Sequence, residues 1–263
     1  MSGFINVIRK NSRPYLESLR DDIANRRNPH FFWPTGTQVY VGRQGSGKTV
    51  SAVKHVHDMK LRYPRSIIVS NVDLKYFKRR PFTDKAGLAA ILTNIDPVSE
   101  YVFFEDMEQL GIALTGVNNE FYGVIYLIDE IHTYFNALES KNIPMFVFTE
   151  ISQQRKQRKV IIGSSQLFMR MAKPFREQAD NMIICNTIFG ILTIQKAFDG
   201  MSLSQDYDGG ISGHVRKTGW FFHTRKIRNS FDTYQKVVSG AEQYDTMQQP
   251  MQLVSKGRKV QVK

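Results

Sequence analysis

Three observations predict an α/β fold with a mostly parallel sheet covered by helices on both faces. Short apolar runs alternate along the chain with segments whose apolar residues recur every three or four positions, which is the mark of strand-helix alternation. Several of those runs are apolar throughout rather than alternating, as strands buried on both faces are. The stretch Gly42-Arg43-Gln44-Gly45-Ser46-Gly47-Lys48-Thr49 fits Gly-x-x-x-x-Gly-Lys-[Ser/Thr], a loop that belongs between a strand and a helix.

Thr37–Val41 reads as the strand that enters this loop. Thr49 to about Arg62 reads as the helix that leaves it, with Val50, Val53, Val56 and Met59 on one face. Ser66–Ser70 is the next strand and Tyr101–Phe104 another, with a helix over 86–92 between them. Gly123-Val124-Ile125-Tyr126-Leu127-Ile128 is a fully apolar strand ending in Asp129-Glu130. A helix over about 144–156 leads to the strand Lys159–Ser164. Met182–Asn186 and Ile191–Lys196 read as a hairpin turning near Gly190, a C-terminal extension of the sheet. Gly219–His223 and Ile227–Tyr234 are expected to extend it further. Residues 1–33 form a charged lead-in, in which Tyr15, Leu16, Leu19 and Ile23 could share a helical face after Pro14. Residues 34–236 form the main domain, and 237–263 a flexible basic tail rich in glutamine.

The glycine-rich loop carries the first chemistry. Glycines let its backbone wrap an anion with N–H groups pointing inward, and the following helix offers the positive end of its dipole. Gly42, Arg43, Gln44, Gly45, Ser46, Gly47, Lys48, Thr49 and Val50 are the expected nucleotide contacts, the ligand being ATP or GTP. Lys48 supplies charge to the outer phosphates, and Thr49 a hydroxyl to Mg²⁺. Asp129, at the tip of a buried strand, is the second expected metal residue, and Glu130 is placed to take a proton from an attacking water. The same pair also suits the start of a helix, where carboxylates favour the dipole. Glu105-Asp106 follows the shorter run Tyr101–Phe104 and competes for the role, but Met107, Leu110 and Leu114 after it suggest an ordinary helix start.

Gln166, just past the strand 159–164, lies at the sheet edge that carries the loop. Its amide could orient water or the γ-phosphate, or simply cap a helix. From Ile151 to Arg176 the chain has Arg155, Lys156, Arg158, Lys159, Arg170, Lys173 and Arg176 and no acid. Arg155 and Arg158, with Arg176 third, are candidates for an arginine that enters a neighbouring subunit's site and stabilises transition-state charge. The alternative is a solvated basic helix face.

The chain has 263 residues, 41% of them hydrophobic, a net charge of +12 and a pI near 9.7. Folding does not require that excess; a polyanionic partner, nucleic acid before an acidic membrane surface, accounts for it. Two basic runs fit such a partner: Lys75, Lys78, Arg79 and Arg80 interleaved with Tyr76 and Phe77, and Arg216, Lys217, Arg225, Lys226 and Arg228 around Trp220-Phe221-Phe222. Each also reads as a solvated face over buried aromatics. The single cysteine, Cys185, excludes an intrachain disulfide and sits in an apolar run, as a buried thiol would. No secretory signal is visible and no apolar run reaches the roughly 18 residues of a membrane span, so a soluble intracellular protein is expected.

Together these motifs resemble the FtsK/HerA superfamily of DNA-pumping P-loop ATPases, and more closely the Zot-like domain of bacteriophage assembly proteins. Ile128-Asp129-Glu130-Ile131-His132 is similar to the family's Asp-Glu-x-His segment. Arg155-Lys156-Gln157-Arg158 stands where its basic stretch does. Ser165-Gln166 resembles its Thr/Ser-Gln pair, followed by Arg176, and Phe231-Asp232-Thr233-Tyr234 resembles the close of the domain. The resemblance covers about residues 35–235. It implies a RecA/ASCE-like P-loop NTPase fold. It also implies a ring, commonly a hexamer, with ATP sites at subunit borders, DNA in the central pore and a phage portal or membrane assembly protein as docking partner. The expected setting is the host cytoplasm or the virion. Zot-like proteins of filamentous phages usually continue into a membrane span, which this sequence does not show; that shifts the expectation toward a packaging motor. A two-domain helicase needs a longer chain. A GTPase would want Asn-Lys-x-Asp, which is absent. A small-molecule kinase fits the size but not the charge. A scaffold that binds ATP without turnover stays open.

Overall fold

A computed structural model describes residues 28–232 except 142, 203 and 206–210, together with residues 20, 23 and 24. The strands among them are, in chain order, β1 (Gly36–Val41), β2 (Ile67–Ser70), β3 (Lys78–Pro81), β4 (Glu100–Phe103), β5 (Val124–Ile128), β6 (Lys159–Ser165), β7 (Ala179–Ile188), β8 (Leu192–Asp199), β9 (Ser204–Gln205), β10 (Ile211–Ser212) and β11 (Val215–Phe222). Nine of them form one sheet in the order β11-β8-β7-β1-β6-β5-β2-β4-β3, and the short β9 and β10 make a separate two-stranded ladder. From β7 to β3 every neighbouring pair is parallel; β8 and β11 are antiparallel additions.

The apolar runs form strands because both faces are covered. On one face α1 (Lys48–Arg62) lays Val50, Val53, Val56 and Met59 against Tyr40, Ile68, Ile125, Leu127 and Ile162. On the other, α2 (Lys85–Asn94), α3 (Met107–Gly116), α4 (Met145–Gln153) and the one-turn α5 (Lys173–Arg176) cover Val39, Val69, Val102, Tyr126 and Ile161. At about 1.5–3 kcal/mol for each buried large apolar side chain, these two layers supply the main stabilisation. Two buried polar groups in the core find partners: Tyr126 Oη donates to Ala113 O at 2.9 Å, and Lys159 Nζ donates to Leu114 O and lies 3.7 Å from Glu150. Both donors reach the last carbonyls of α3, where positive charge suits the helix dipole.

Asp106 is a helix cap. Its carboxylate accepts from Gln109 N at 2.8 Å and opens α3, so Glu105-Asp106 is not the metal pair. One expectation needs correction. Ile227–Tyr234 is not a strand as far as it is described: Thr224 Oγ1 accepts from Ile227 N and caps a one-turn helix, α6 (Arg225–Arg228), and Phe231 makes only an isolated bridge to Leu74. Lys78–Pro81, read only as a basic run, is the edge strand β3. Phe32, assigned to the lead-in, is fully buried against Tyr63 and Gly123. Tyr15, Leu16, Leu19, Thr233, Tyr234 and the 237–263 tail lie outside the described residues.

Candidate active site

The parallel strands end their chemistry at one edge, as open α/β sheets do. The phosphate loop joins β1 to the N-terminus of α1 there. Gly47 has φ 85°, and a Cβ on it would stand 2.4 Å from Thr187 Oγ1 and 2.6 Å from Thr193 Oγ1, so both conformation and space require glycine. No side chain caps the N-terminus of α1, leaving its first N–H groups to the loop. Lys48 is buried and donates to Arg43 O at 3.2 Å.

β5 brings the acids to this loop with one strand, β6, between. Thr49 Oγ1 donates to Asp129 Oδ1 at 2.9 Å, and Ser164 Oγ on β6 donates to the same oxygen. Asn71, at the tip of β2, holds the Asp129 peptide from both sides: its Oδ1 accepts from Asp129 N at 2.8 Å and its Nδ2 donates to Asp129 O at 3.0 Å. Burial, reinforced by the Glu130 charge, pushes the Asp129 carboxyl above the usual carboxylate range against the hydrogen bonds from Ser164 and Thr49. A divalent cation would relieve that penalty. Thr49 Oγ1 and Asp129 Oδ1 are hard oxygen donors of the kind that would hold Mg²⁺.

Glu130 follows at φ 47°, a left-handed conformation costly for a residue with a Cβ and frequent at functional positions. Its amide donates to Ser164 Oγ at 3.1 Å. Its carboxylate lies 3.2 Å from His132 Nδ1, and Gln166 Nε2 donates to it at 3.5 Å. Burial alone would raise this carboxyl; the His132 contact and the Lys48 charge outweigh it and hold it below its ordinary value. Glu130 is therefore ionised and ready to accept a proton at neutral pH. His132 also meets Ser165 Oγ at 3.3 Å.

Lys48, Thr49, Asp129, Glu130 and Gln166 thus converge, with Arg43 to Val50 as the loop. Arg155 and Arg158 do not join them within the chain. They precede β6 at the opposite sheet edge, about 20 Å away for seven residues at roughly 3.3 Å each. Arg158 has φ 52°, donates to Phe32 O at 3.2 Å and stacks over Phe31 at 3.9 Å, a structural anchor. Of the expected nucleic-acid residues, Lys78 and Arg80 pair with Glu100, Arg79 with Glu105, and Arg216 with Asp199. Lys75, Lys217, Arg225 and Lys226 are exposed. Lys217 lines a groove of about 600 Å³ with Lys54, His55, Trp220 and Phe221, beside α1 and away from the phosphate loop. Sequence reasoning missed Asn71 and Ser164. Ser164 was hidden inside a strand, and Asn71 carried no signal beyond following one.

Residues 37–199 match the family model described as zonular occludens toxin (Zot). The chain belongs to the Zot family. Among solved structures, the N-terminal domain of zonular occludens toxin from Neisseria meningitidis is similar at 14% identity and TM-score 0.48, covering 75% of this chain and 99% of that one. The genome packaging NTPase B204 from Sulfolobus turreted icosahedral virus 2 is similar at 16% identity and TM-score 0.47, covering 71% and 98%. The DNA-packaging ATPase B204 from Sulfolobus turreted icosahedral virus is similar at 15% identity and TM-score 0.48, covering 69% and 97%. No curated protein matches the sequence. Among the described residues of this Zot-family chain, no helix is long and apolar enough to cross a membrane.

Proposed function

We propose that this chain hydrolyses ATP and uses the energy to move DNA through a ring of its own copies, hexameric by family resemblance, in phage genome packaging or export. The observation that carries the hydrolytic half is the Thr49–Asp129 contact at 2.9 Å in the mouth of the phosphate loop, with the ionised Glu130 next in sequence. Loop N–H groups and Lys48 bind the phosphates. Thr49 and Asp129 would hold Mg²⁺, which supplies charge neutralisation between phosphate oxygens. Glu130 takes the proton of the attacking water, and Gln166, bonded to Glu130, orients that water. The DNA half is supported by the +12 charge and by the exposed cations Lys75, Lys217, Arg225 and Lys226, which suit contacts to phosphates that carry no sequence information.

The test is ATP turnover by the full chain with magnesium, with and without DNA, alongside electron micrographs of the particle. A several-fold rise with DNA and a ring are expected. A monomer with no turnover in the presence of DNA overturns the proposal. The family match also favours a second reading, a phage morphogenesis ATPase working at a membrane. Turnover that needs anionic vesicles and ignores DNA would select it.

A further inference from the structure

We propose that the tip of the β7–β8 hairpin, Ile188–Ile191, receives the base of the nucleotide held by the phosphate loop, with the Phe189 ring as its stacking face. The inference rests on the nucleotide reading above and adds where the rest of that ligand goes.

Direction comes first. The hydrolytic groups Asp129 and Glu130 lie on the β5 side of the loop, and the strand order is β7-β1-β6-β5. The outer phosphate therefore points toward β5, and the base end leaves over β7. The C-terminal end of β7 is on the same edge as the loop, since β7 runs parallel to β1.

The hairpin is tied to the loop at this place. Thr187 Oγ1 donates to Ser46 O at 2.8 Å, Thr187 and Thr193 hydroxyls meet at 2.7 Å, and Thr193 Oγ1 meets His223 Nε2 at 2.6 Å. The tip begins one residue past a direct bond to the loop backbone. Arg228 Nη2 donates to Gly190 O at 2.5 Å, and His223 N donates to Ile191 O at 2.8 Å, so the tip is held from its other side as well.

The tip residues are otherwise unexplained. Ile191 N donates to Ile188 O at 3.1 Å across a two-residue turn, with Phe189 at φ 51° and Gly190 at φ 67°. Such a turn needs two left-handed residues, and asparagine, aspartate or glycine is the low-strain choice for the first. A bulky aromatic in that conformation is an outlier. Packing does not account for it, because Phe189 is 92% exposed, with Ile188 and Ile191 also on the surface. An exposed ring on a strained turn, whose backbone is tied to the phosphate loop, offers a face to a nucleobase. Residues 188–191 carry no amide, hydroxyl or charged side chain to read a base edge, so ATP and GTP should bind within about tenfold of each other, as stacking tolerates any base.

The test compares binding of Mg·ATP and of magnesium tripolyphosphate, which lacks the base, to the full chain by calorimetry. F189A should weaken ATP about 5- to 150-fold, from the usual worth of one stacked base, and leave tripolyphosphate within about twofold. F189W should keep ATP within about threefold. F189G should lose ATP affinity likewise while melting higher, because it relieves the left-handed strain. Unchanged ATP affinity in F189A overturns the proposal, and so does an equal loss for both ligands. An altered subunit number with unchanged affinity also overturns it and assigns the tip to a subunit contact. If the unmutated chain binds neither ligand, the nucleotide reading itself fails and the base site falls with it.

Discussion

The two halves of the sheet solve different problems with the same ladder. Every residue of β2, β5 and β6 is buried, whereas β11 is exposed along most of its length. In the parallel half, helices cover both faces, and the polar chemistry is pushed to the strand tips, where Asn71 and Ser164 both bond Asp129. In the antiparallel half cover thins out: Met182 and Phe198 are still buried on the side away from α1, but Trp220, Phe222 and Ile188 are exposed to solvent. The groups proposed for hydrolysis thus stand at the ends of the fully covered strands, and the cations proposed to meet DNA stand on or beside the exposed ones.

The largest effect that would break this contrast is on turnover. Glu130→Gln should keep nucleotide binding and lower kcat about 10²–10⁴-fold, as loss of a general base does, measured by phosphate release. Next comes stability. Leu127→Ala on β5 should cost about 2–5 kcal/mol in urea unfolding, whereas Phe222→Ala on β11 should stay within about 0.5 kcal/mol; equal losses would erase the distinction between the halves. Asp129→Asn probes the penalty at the rigid tip. A carboxyl raised in the fold binds protons on folding, so it costs stability above its folded pKa, and the cost disappears as pH falls through the ordinary carboxylate range. The substitution should abolish turnover yet raise Tm at pH 7 by about 2–4 °C for each kcal/mol recovered. The gain should fade near pH 4, at roughly the unperturbed carboxyl value, and a calorimetric pH series checks both. The smallest change belongs to the outer strand: Lys217→Glu should lower DNA affinity modestly and reduce the salt slope by about one.

The parallel half was legible from sequence because a strand buried on both faces must be apolar throughout, and the glycine loop fixes where strand becomes helix. Asp129 and Glu130 followed from standing at the end of such a run. What failed to show depends on partners distant in the chain. Lys78–Pro81 carries lysine and arginines into a strand because Glu100 and Glu105 on β4 and just past it neutralise them, and no local pattern announces that. Arg158 has the sequence context of a mobile cation, but Phe31 and the Phe32 carbonyl, more than a hundred residues upstream, immobilise it. Ile227–Tyr234 looked like a strand through its apolar and aromatic residues. Thr224 instead starts a helical turn there.

Asn71 has one more consequence. Its amide bonds the Asp129 peptide and also reaches Tyr134 Oη at 3.2 Å, and that hydroxyl donates to Glu105 O at 3.1 Å. Three strand ends, those of β2, β5 and β4, are thereby riveted into a single plate. In the proposed function this plate would be the fixed side of the site, and a stroke would swing on the other side of the phosphate loop, where the hydroxyls of Thr187 and Thr193 and the His223 imidazole are the linkage.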